Sequence, residues 1–305
     1  MIQHLSRRIV HSAFCLFGLI VLVFFLSRLT GNPTDLYLPI ETPNDVRQAF
    51  AERHGFNDPV WVQFVNYLGG LTRLDFGESL RQGRPALDLV LRSFPATLLL
   101  AAISMGLSVS IAIVIGALAA WRPGSLFDRV AGFLSLASAS IPNFWLAIVG
   151  ILVFAVHLRW VPTSGIDTPA HWILPVIVLF IRPCGVLVQV VRNSMLASLN
   201  SAYVKTARAK GVRERAVIFV HALRNALLPA VTVAGDQAAN MVNGAVIAET
   251  IFAVPGIGKL LIDSIIFRDF AVVQAAVIVT AIAIFLINIL VDMIYVLLDP
   301  RIRYN

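Results

Sequence analysis

The amino-acid sequence predicts an all-α polytopic membrane protein, with six transmembrane helices and a small extracytoplasmic lobe between the first and the second. Three observations predict it. Of 305 residues, 58% are hydrophobic and only 13% charged, whereas soluble domains carry roughly 25% charged residues. A chain of this size cannot hide so much apolar surface from water, so its solvent is lipid. The apolar residues also gather in runs of the length, about 20 residues, that a helix needs to cross the hydrocarbon. Finally, Lys and Arg are unevenly divided between the short loops, as the positive-inside rule requires of a multi-span chain. The net charge of +7 is accounted for by those loops, not by nucleic-acid binding.

The first run, 9–29, is longer than the apolar region of a signal peptide and no small-residue cleavage pattern follows it, so it reads as a membrane helix. The other five spans are expected at 95–121, 130–158, 172–191, 227–252 and 270–298. Trp121, Trp160, Trp172 and Tyr295 stand at span ends, where amphipathic rings anchor at the interface. Residues 30–94 are polar and carry helix punctuation. "TPNDV" opens one helix, Gly55 ends it, and "NDPVW" opens a second with Pro59 in its first turn. This segment reads as a folded lobe. The chain therefore divides into an N-terminal tail and first span (1–29), the lobe (30–94), and a five-helix core (95–305) containing a long cytoplasmic loop, 193–226.

Orientation follows from the short loops. One side holds Arg7, Arg8, Arg122, Arg129, Arg192, Lys205, Arg208, Lys210, Arg213, Arg215, Arg224, Arg301 and Arg303; the other holds Arg159, Lys259 and Arg268. Both termini are thus expected in the cytoplasm and the lobe outside, in a multi-pass protein of the cytoplasmic (inner) membrane.

The densest positive charge lies in "YVKTARAKGV", residues 203–212. Tyr203 to Lys210 lack a helix breaker, and Gly211 offers the left-handed conformation that ends a helix. A second helical stretch is expected from about Glu214 to Leu223. The charges alone could set topology or touch anionic lipid. The small Thr206 and Ala207, together with the glycine, equally suit a helix that docks against a partner.

The longer stretch "YVKTARAKGVRERAVIFVHALRNALLP" resembles the cytoplasmic coupling loop of binding-protein-dependent ABC importer permeases, in particular the dipeptide/oligopeptide/nickel (DppB/OppB-like) family. Six further motifs agree in order: "LDFGESL", "FPATLLLA", "SIPNFWLAI", "LRWVPTSG", "ETIFAVPGIGKLLIDSI" and "DPRIRY". The resemblance spans nearly the whole chain. It implies a MetI-like permease core, one transmembrane subunit of an ATP-driven importer for di- or oligopeptides that works by alternating access; nickel, glutathione or another small solute are the alternatives within the family. It implies as partners a second homologous permease, two cytoplasmic ABC ATPases that use ATP and Mg, and an extracytoplasmic solute-binding protein. Tyr203, Lys205, Thr206, Ala207, Arg208, Lys210 and Gly211 fall in the implied ATPase-coupling segment. Lys205 stands where importers at large carry an acidic residue, and the spacing from Gly211 to Pro229 is longer, both as in the peptide subgroup.

The residues themselves offer no catalytic machinery. A phosphate loop needs G-x-x-x-x-G-K-[ST], but before Gly258 and Lys259 the first glycine is replaced by Ala253, and Leu260 follows the lysine. "PGIGK" reads instead as a turn with interfacial packing. The six histidines are scattered, and Cys15 and Cys184 lie in apolar runs without metal or disulfide spacing. No cofactor is expected in this chain, and it is read as no enzyme: ATP hydrolysis falls to partner subunits. A secondary carrier, the alternative of another class, would show inverted repeats with broken midplane helices, and no clear internal repeat is present.

Polar groups inside spans are costly and so are candidates for function. Arg182 lies roughly 15 Å from the outer end of the fourth span, and Asp236 roughly 14 Å from the inner end of the fifth, at about 1.5 Å per residue. Both are near the midplane. They are expected to face the translocation pathway, paired in at least one state, or equally to form a structural ion pair that touches no solute; the family usually has apolar or small residues there. Gln237, Asn240 and Asn243 extend the pathway candidates. Asn288 and Asp292 share a helix face and suit helix–helix hydrogen bonding rather than solute contact, the alternative for them. Glu249, near the outer end of the fifth span, suits a gate or simple solvation equally.

Overall fold

The computed structural model describes residues 2–298 except 30–33, 35–37, 39–40 and 80, and leaves aside the side chains of 2–9, 243, 292 and 294–298. The expectations for Arg7, Arg8, Asn243, Asp292, Tyr295, Arg301, Arg303 and the "DPRIRY" motif lie outside that description. The chain forms two compact units, 1–95 with 259–285 and 96–258 with 286–305.

In the first unit, helix α1 (Ile2–Leu29) leads to the lobe helices α2 (Asn44–Arg53) and α3 (Val60–Leu71). Pro43 and Pro59 stand at their N-caps, where a missing N–H costs nothing. Gly55 takes a φ of +65° after α2, as its place in the sequence predicts. Phe24 of α1 is buried against Phe64 and Tyr67 of α3, at ring centroid distances of 5.1 and 5.4 Å. A short hairpin, β1 (Glu78–Ser79) with β2 (Arg84–Pro85), follows. The buried Ser79 hydroxyl donates to the carboxylate of Asp269, just ahead of α12 (Phe270–Leu298). Arg81 lies over the ring of Phe267 at 3.4 Å, and Gln274 Nε2 donates to Ser27 Oγ at 2.9 Å.

The remaining elements are α4 (Ala86–Trp121), α5 (Leu126–Ser140), α6 (Asn143–Gly150) with a π turn (Ile151–His157), α7 (Pro169–Leu199) and α8 (Ala202–Ala209). Then come α9 (Glu214–Ala216), a second π turn (Val217–Ala222), α10 (Leu223–Ile251) and α11 (Ile257–Ile266). In the second unit α7 packs extensively on α10 and α5. One cluster there joins Leu100, Leu174, Leu179, Ala245, Ala248 and Phe252; another joins Ala117, Val191, Met195, Val204, Ile218 and Ala226. Small residues recur at these contacts, as they do where lipid supplies no hydrophobic drive and close van der Waals packing must hold helices together.

Among the described residues five helices are long and apolar enough to cross a membrane: Val10–Leu29, Ala86–Trp121, Pro169–Leu199, Glu214–Val242 and Phe270–Val291. The expected third span, 130–158, is not one helix. Leu126–Ser140 and Asn143–His157 meet at 101°. Pro142 is the cause: its ring disfavours the α conformation at the preceding residue, and Ile141 adopts φ −85° and ψ 123°. The stretch from Glu214 does not form a separate short helix either. It runs through the π turn into α10, with Pro229 inside the helix. From Ile257, within "PGIG", the chain forms α11, a helix that the sequence pattern does not announce.

Candidate functional site

The basic segment folds as α8 and is held by few apolar contacts. Val204 is fully buried, Ala207 is half-buried, and Tyr203, Lys205, Thr206, Arg208, Lys210 and Gly211 are exposed. Val204 joins Val191 and Met195 of α7, Val217 and Ile218 of the π turn, and Ala117 and Ala120 of α4 in one cluster, with Ala207 and Val212 packed against it. Ala226 and Ala230 of α10 belong to the same cluster, so Val204 ties α8 into the packing shared by α4, α7 and α10.

The helix ends as its sequence predicts. Gly211 has φ +76°. Its N–H bonds the carbonyl of Arg208 at 2.9 Å, and the N–H of Val212 bonds that of Ala207 at 3.2 Å. This is the Schellman pattern, which satisfies the last carbonyls and needs a residue free of the left-handed penalty. Across the turn, Arg208 makes a two-pronged contact to Glu214, at 2.6 and 3.2 Å. It raises the Arg208 pKa through that bond. Both partners are exposed, so the pair shapes the loop more than it stabilises the fold.

A second ion pair secures the base of the loop. Asp128, in the first turn of α5, is 5% exposed and takes both Nε and a terminal nitrogen of Arg192 on α7, the latter at 2.8 Å. The backbone N–H of Gly124 also donates to Asp128 at 2.8 Å. In the sequence Arg192 counts only as a topology charge. Its partner, far away in the chain, carried no local signal.

The polar residues of the spans divide into two kinds. On α10, Asn225, Thr232, Asp236 and Asn240 are exposed, at spacings of seven, four and four residues that keep to one helix face. Ala226, Ala230, Ala245 and Ala248 are buried on the other side. Gln237 is half-buried beside the polar face. Arg182 is exposed on α7. No ion pair joins Arg182 to Asp236 in this conformation, so the pairing expected from their depth is not formed here. The contrast with α1 is direct: its exposed positions include Val10, Phe14, Phe17 and Leu22, the composition of a face that meets lipid.

Glu249 belongs to the other kind, and solvation is not its role. It is fully buried. It accepts from Thr97 Oγ1 at 2.6 Å and from Gly258 N–H at 2.7 Å, while Thr97 Oγ1 accepts from Ile257 N–H at 2.9 Å. Thr97 and Glu249 thus satisfy the first two amides of α11, where the helix dipole also favours a carboxylate. The glycines of "PGIGK" make room for it. A Cβ on Gly256 would sit 2.2 Å from the Glu249 carboxyl carbon, and one on Gly258 2.5 Å from Val246 Cα. "FPATLLLA" and "ETIFAVPGIGK", two motifs of no evident chemistry, are halves of one buried hydrogen-bond network. Among the described residues no group of His, Cys, Asp and Glu could hold a metal ion.

Residues 112–304 match the family model described as binding-protein-dependent transport system inner membrane component. The chain belongs to this family. It is 38% identical to the oligopeptide transport system permease protein AppB of Bacillus subtilis, over the full length of both. It is 37% identical to the di/tripeptide permease protein DppB of Pseudomonas aeruginosa and 36% to the dipeptide permease protein DppB of Escherichia coli K12, again over the whole of each chain. In fold it is similar to the inward-facing MetNI methionine ABC transporter, at a TM-score of 0.59 and 19% identity over 69% of this chain and 96% of that one. The expected MetI-like core and permease family are thereby established, and the chain is an inner-membrane permease component of a binding-protein-dependent transporter.

Proposed function

We propose that this permease imports di- or oligopeptides as one of two homologous transmembrane subunits, driven by two cytoplasmic ABC ATPases that bind ATP and Mg and fed by an extracytoplasmic solute-binding protein. The peptide substrate is supported by relatives alike over their entire length and named for oligopeptides, dipeptides and di/tripeptides. The observation that carries the coupling is α8: an exposed, basic, small-residue helix fixed to the membrane helices through Val204 and ended by Gly211.

In this reading loop 193–226 faces the cytoplasm, as do both termini, and Tyr203, Lys205, Thr206, Ala207, Arg208, Lys210 and Gly211 meet the ATPase. The lobe, 30–94, lies outside. ATP binding closes the ATPase pair and carries the coupling helices with it. Because Val204 packs against α4, α7 and the start of the fifth span, that movement tilts all three. The pathway then opens outward to receive peptide, and hydrolysis resets it inward. Arg182, Asp236, Gln237, Asn240 and Asn243 line the pathway: a polar face in a membrane must meet water or another subunit. Glu249 supports the outer end of the core through α11.

The test is purification in mild detergent with identification of associated proteins, beside a variant carrying Ala207→Trp and Gly211→Pro. ATPase subunits are expected with the native chain and lost from the variant. A native complex that transports dipeptide without any ATPase would overturn the reading in favour of a secondary carrier.

A further inference from the structure

The two lobe helices differ in kind. Helix α2 carries Asp45, Arg47, Glu52 and Arg53, as a helix in water does. Helix α3, VWVQFVNYLGGL, carries no charged residue. Its apolar residues also exceed what the fold covers, for Trp61 and Val65 are 69% and 58% exposed. These two are one helical turn apart and share a face. Gln63, Asn66 and Gly70 lie on the other side of the helix, along the wall of a cavity. Just past the helix, Leu74 closes a Schellman turn: its N–H bonds the carbonyl of Leu71 and that of Asp75 the carbonyl of Gly70, each at 3.0 Å. It does so at φ +59°, where glycine is favoured and a leucine costs free energy. The chain buries little of Leu74 in return, since that side chain is exposed too.

The level of α3 follows from the spans it meets. The apolar span of α1 ends at Leu29, and Phe24 and Phe25 lie roughly 7 Å inside that end, at about 1.5 Å per residue. The Phe64 ring of α3 stands 5.1 Å from that of Phe24 and 5.6 Å from that of Phe25. One cavity wall also joins Tyr67 of α3 to Gln274, in the second turn of a span that begins at Phe270. Two spans thus place α3 level with the margin of the hydrocarbon. Phe25 is itself exposed, with Leu22, Leu26 and Leu29, on the surface that α1 gives to lipid. Trp61, a turn before Phe64, continues that surface onto α3. We propose that α3 is an interfacial helix and that the partner of its free face is the bilayer. Trp61, Val65 and Leu74 enter the boundary between headgroups and acyl chains, at the depth of roughly 5–10 Å where such helices lie, and hold the lobe down on the membrane. Tryptophan suits that boundary. With no charge on the helix, the attachment is to the acyl margin and is indifferent to headgroup charge. The inference needs only the membrane spans and stands apart from the solute and the ATPases.

The experiment measures spin-label accessibility in the full transporter complex, in phosphatidylcholine nanodiscs, with Cys15→Ser, Cys184→Ala and no other reactive thiol. Labels enter through Trp61→Cys, Val65→Cys and Leu74→Cys. Phe17→Cys on α1 is the lipid reference and Val46→Cys on α2 the water reference. All five positions are exposed, so no variant removes a buried side chain. Collisions are read with molecular oxygen and with a water-soluble nickel chelate. At positions 61, 65 and 74 the oxygen-to-chelate ratio should approach that of Phe17→Cys and exceed that of Val46→Cys by about tenfold or more, because apolar oxygen concentrates in hydrocarbon and the polar chelate in water. Adding anionic phosphatidylglycerol should leave the ratio unchanged. A ratio as low as at Val46→Cys means that the face meets water and overturns the inference. Exclusion of both reagents means that protein covers the face, a partner subunit or the solute-binding protein, and overturns lipid as its occupant. A high ratio that appears only with anionic lipid overturns attachment through the acyl margin. A reading without any label guards against misfolded variants. Acyl-brominated phosphatidylcholine should quench the fluorescence difference between the native complex and Trp61→Phe, and an unquenched difference would count against the inference equally.

Discussion

Glu249 and Asp269 are two buried carboxylates whose roles differ through what surrounds them. Glu249 has hydroxyl and amide donors and closes the start of α11. Its replacement by Ala strands the Gly258 amide and the Thr97 hydroxyl inside the protein, at a cost of about 2–3 kcal/mol for a bond to a charged group. Thermal unfolding in detergent should show that loss, and Thr97→Val should show a smaller one. Asp269, 2% exposed, is governed by burial, which raises its pKa above the ordinary carboxylate value; the Ser79 hydroxyl only partly offsets this. The sign follows from linkage. The native state holds this proton more tightly than the unfolded chain. Its contribution is therefore full below the unfolded carboxyl pKa and is lost as pH rises through the raised native value. Asp269→Asn should flatten that slope in unfolding measured across acidic to neutral pH. An unchanged slope would assign the pH dependence to other groups.

At the scale of elements, the clamp between α5 and α7 decides how firmly the base of loop 193–226 is held. Asp128 is nearly inaccessible and Arg192 is 24% exposed. Breaking such a pair from one side leaves a charge with little solvent, so Asp128→Ala should cost roughly 2–3 kcal/mol, below the range for fully buried pairs. The exchanged pair, Asp128→Arg with Arg192→Asp, should recover part of the loss in melting temperature. No recovery would mean that the Gly124 N–H bond to Asp128, not the ion pair, carries the effect. The Arg208–Glu214 pair makes a useful control. It is exposed on both sides, and Glu214→Gln should change stability by less than about 1 kcal/mol.

Across the whole molecule, the polar face of α10 is the feature that a lone chain cannot accommodate in lipid. Asp236 and Asn240 are exposed, and a charge near the bilayer centre is tolerated only beside water or a partner. If Asp236 lines the pathway as proposed, Asp236→Leu should leave the complex assembled and melting normally while dipeptide uptake falls by about tenfold or more, the loss of one charged contact. Arg182→Asp combined with Asp236→Arg separates two roles. Restored uptake means that the two pair in another state of the cycle. Uptake as poor as in the single variants means that each faces solute independently.

Much of this protein was legible in order along the chain. Apolar run lengths located the spans because the thickness of hydrocarbon imposes a minimum number of helical residues. Proline and glycine located the ends of α2, α3 and α8 because their backbone limits act on immediate neighbours, and Gly211 was readable for that reason. Pro142 carried the break in the third span in the same way, yet hydropathy masked it: a run of apolar residues has the same mean whether straight or bent by 101°. What the tertiary structure alone decided is which distant groups meet. Thr97 finds Glu249, Asp128 finds Arg192, and Ser79 finds Asp269, each across more than sixty residues. Arg182 and Asp236, matched in depth by helix rise, do not meet in this conformation. Rise along an axis is a property of sequence position; rotation about that axis, and the neighbour it selects, is set by packing against the rest of the fold.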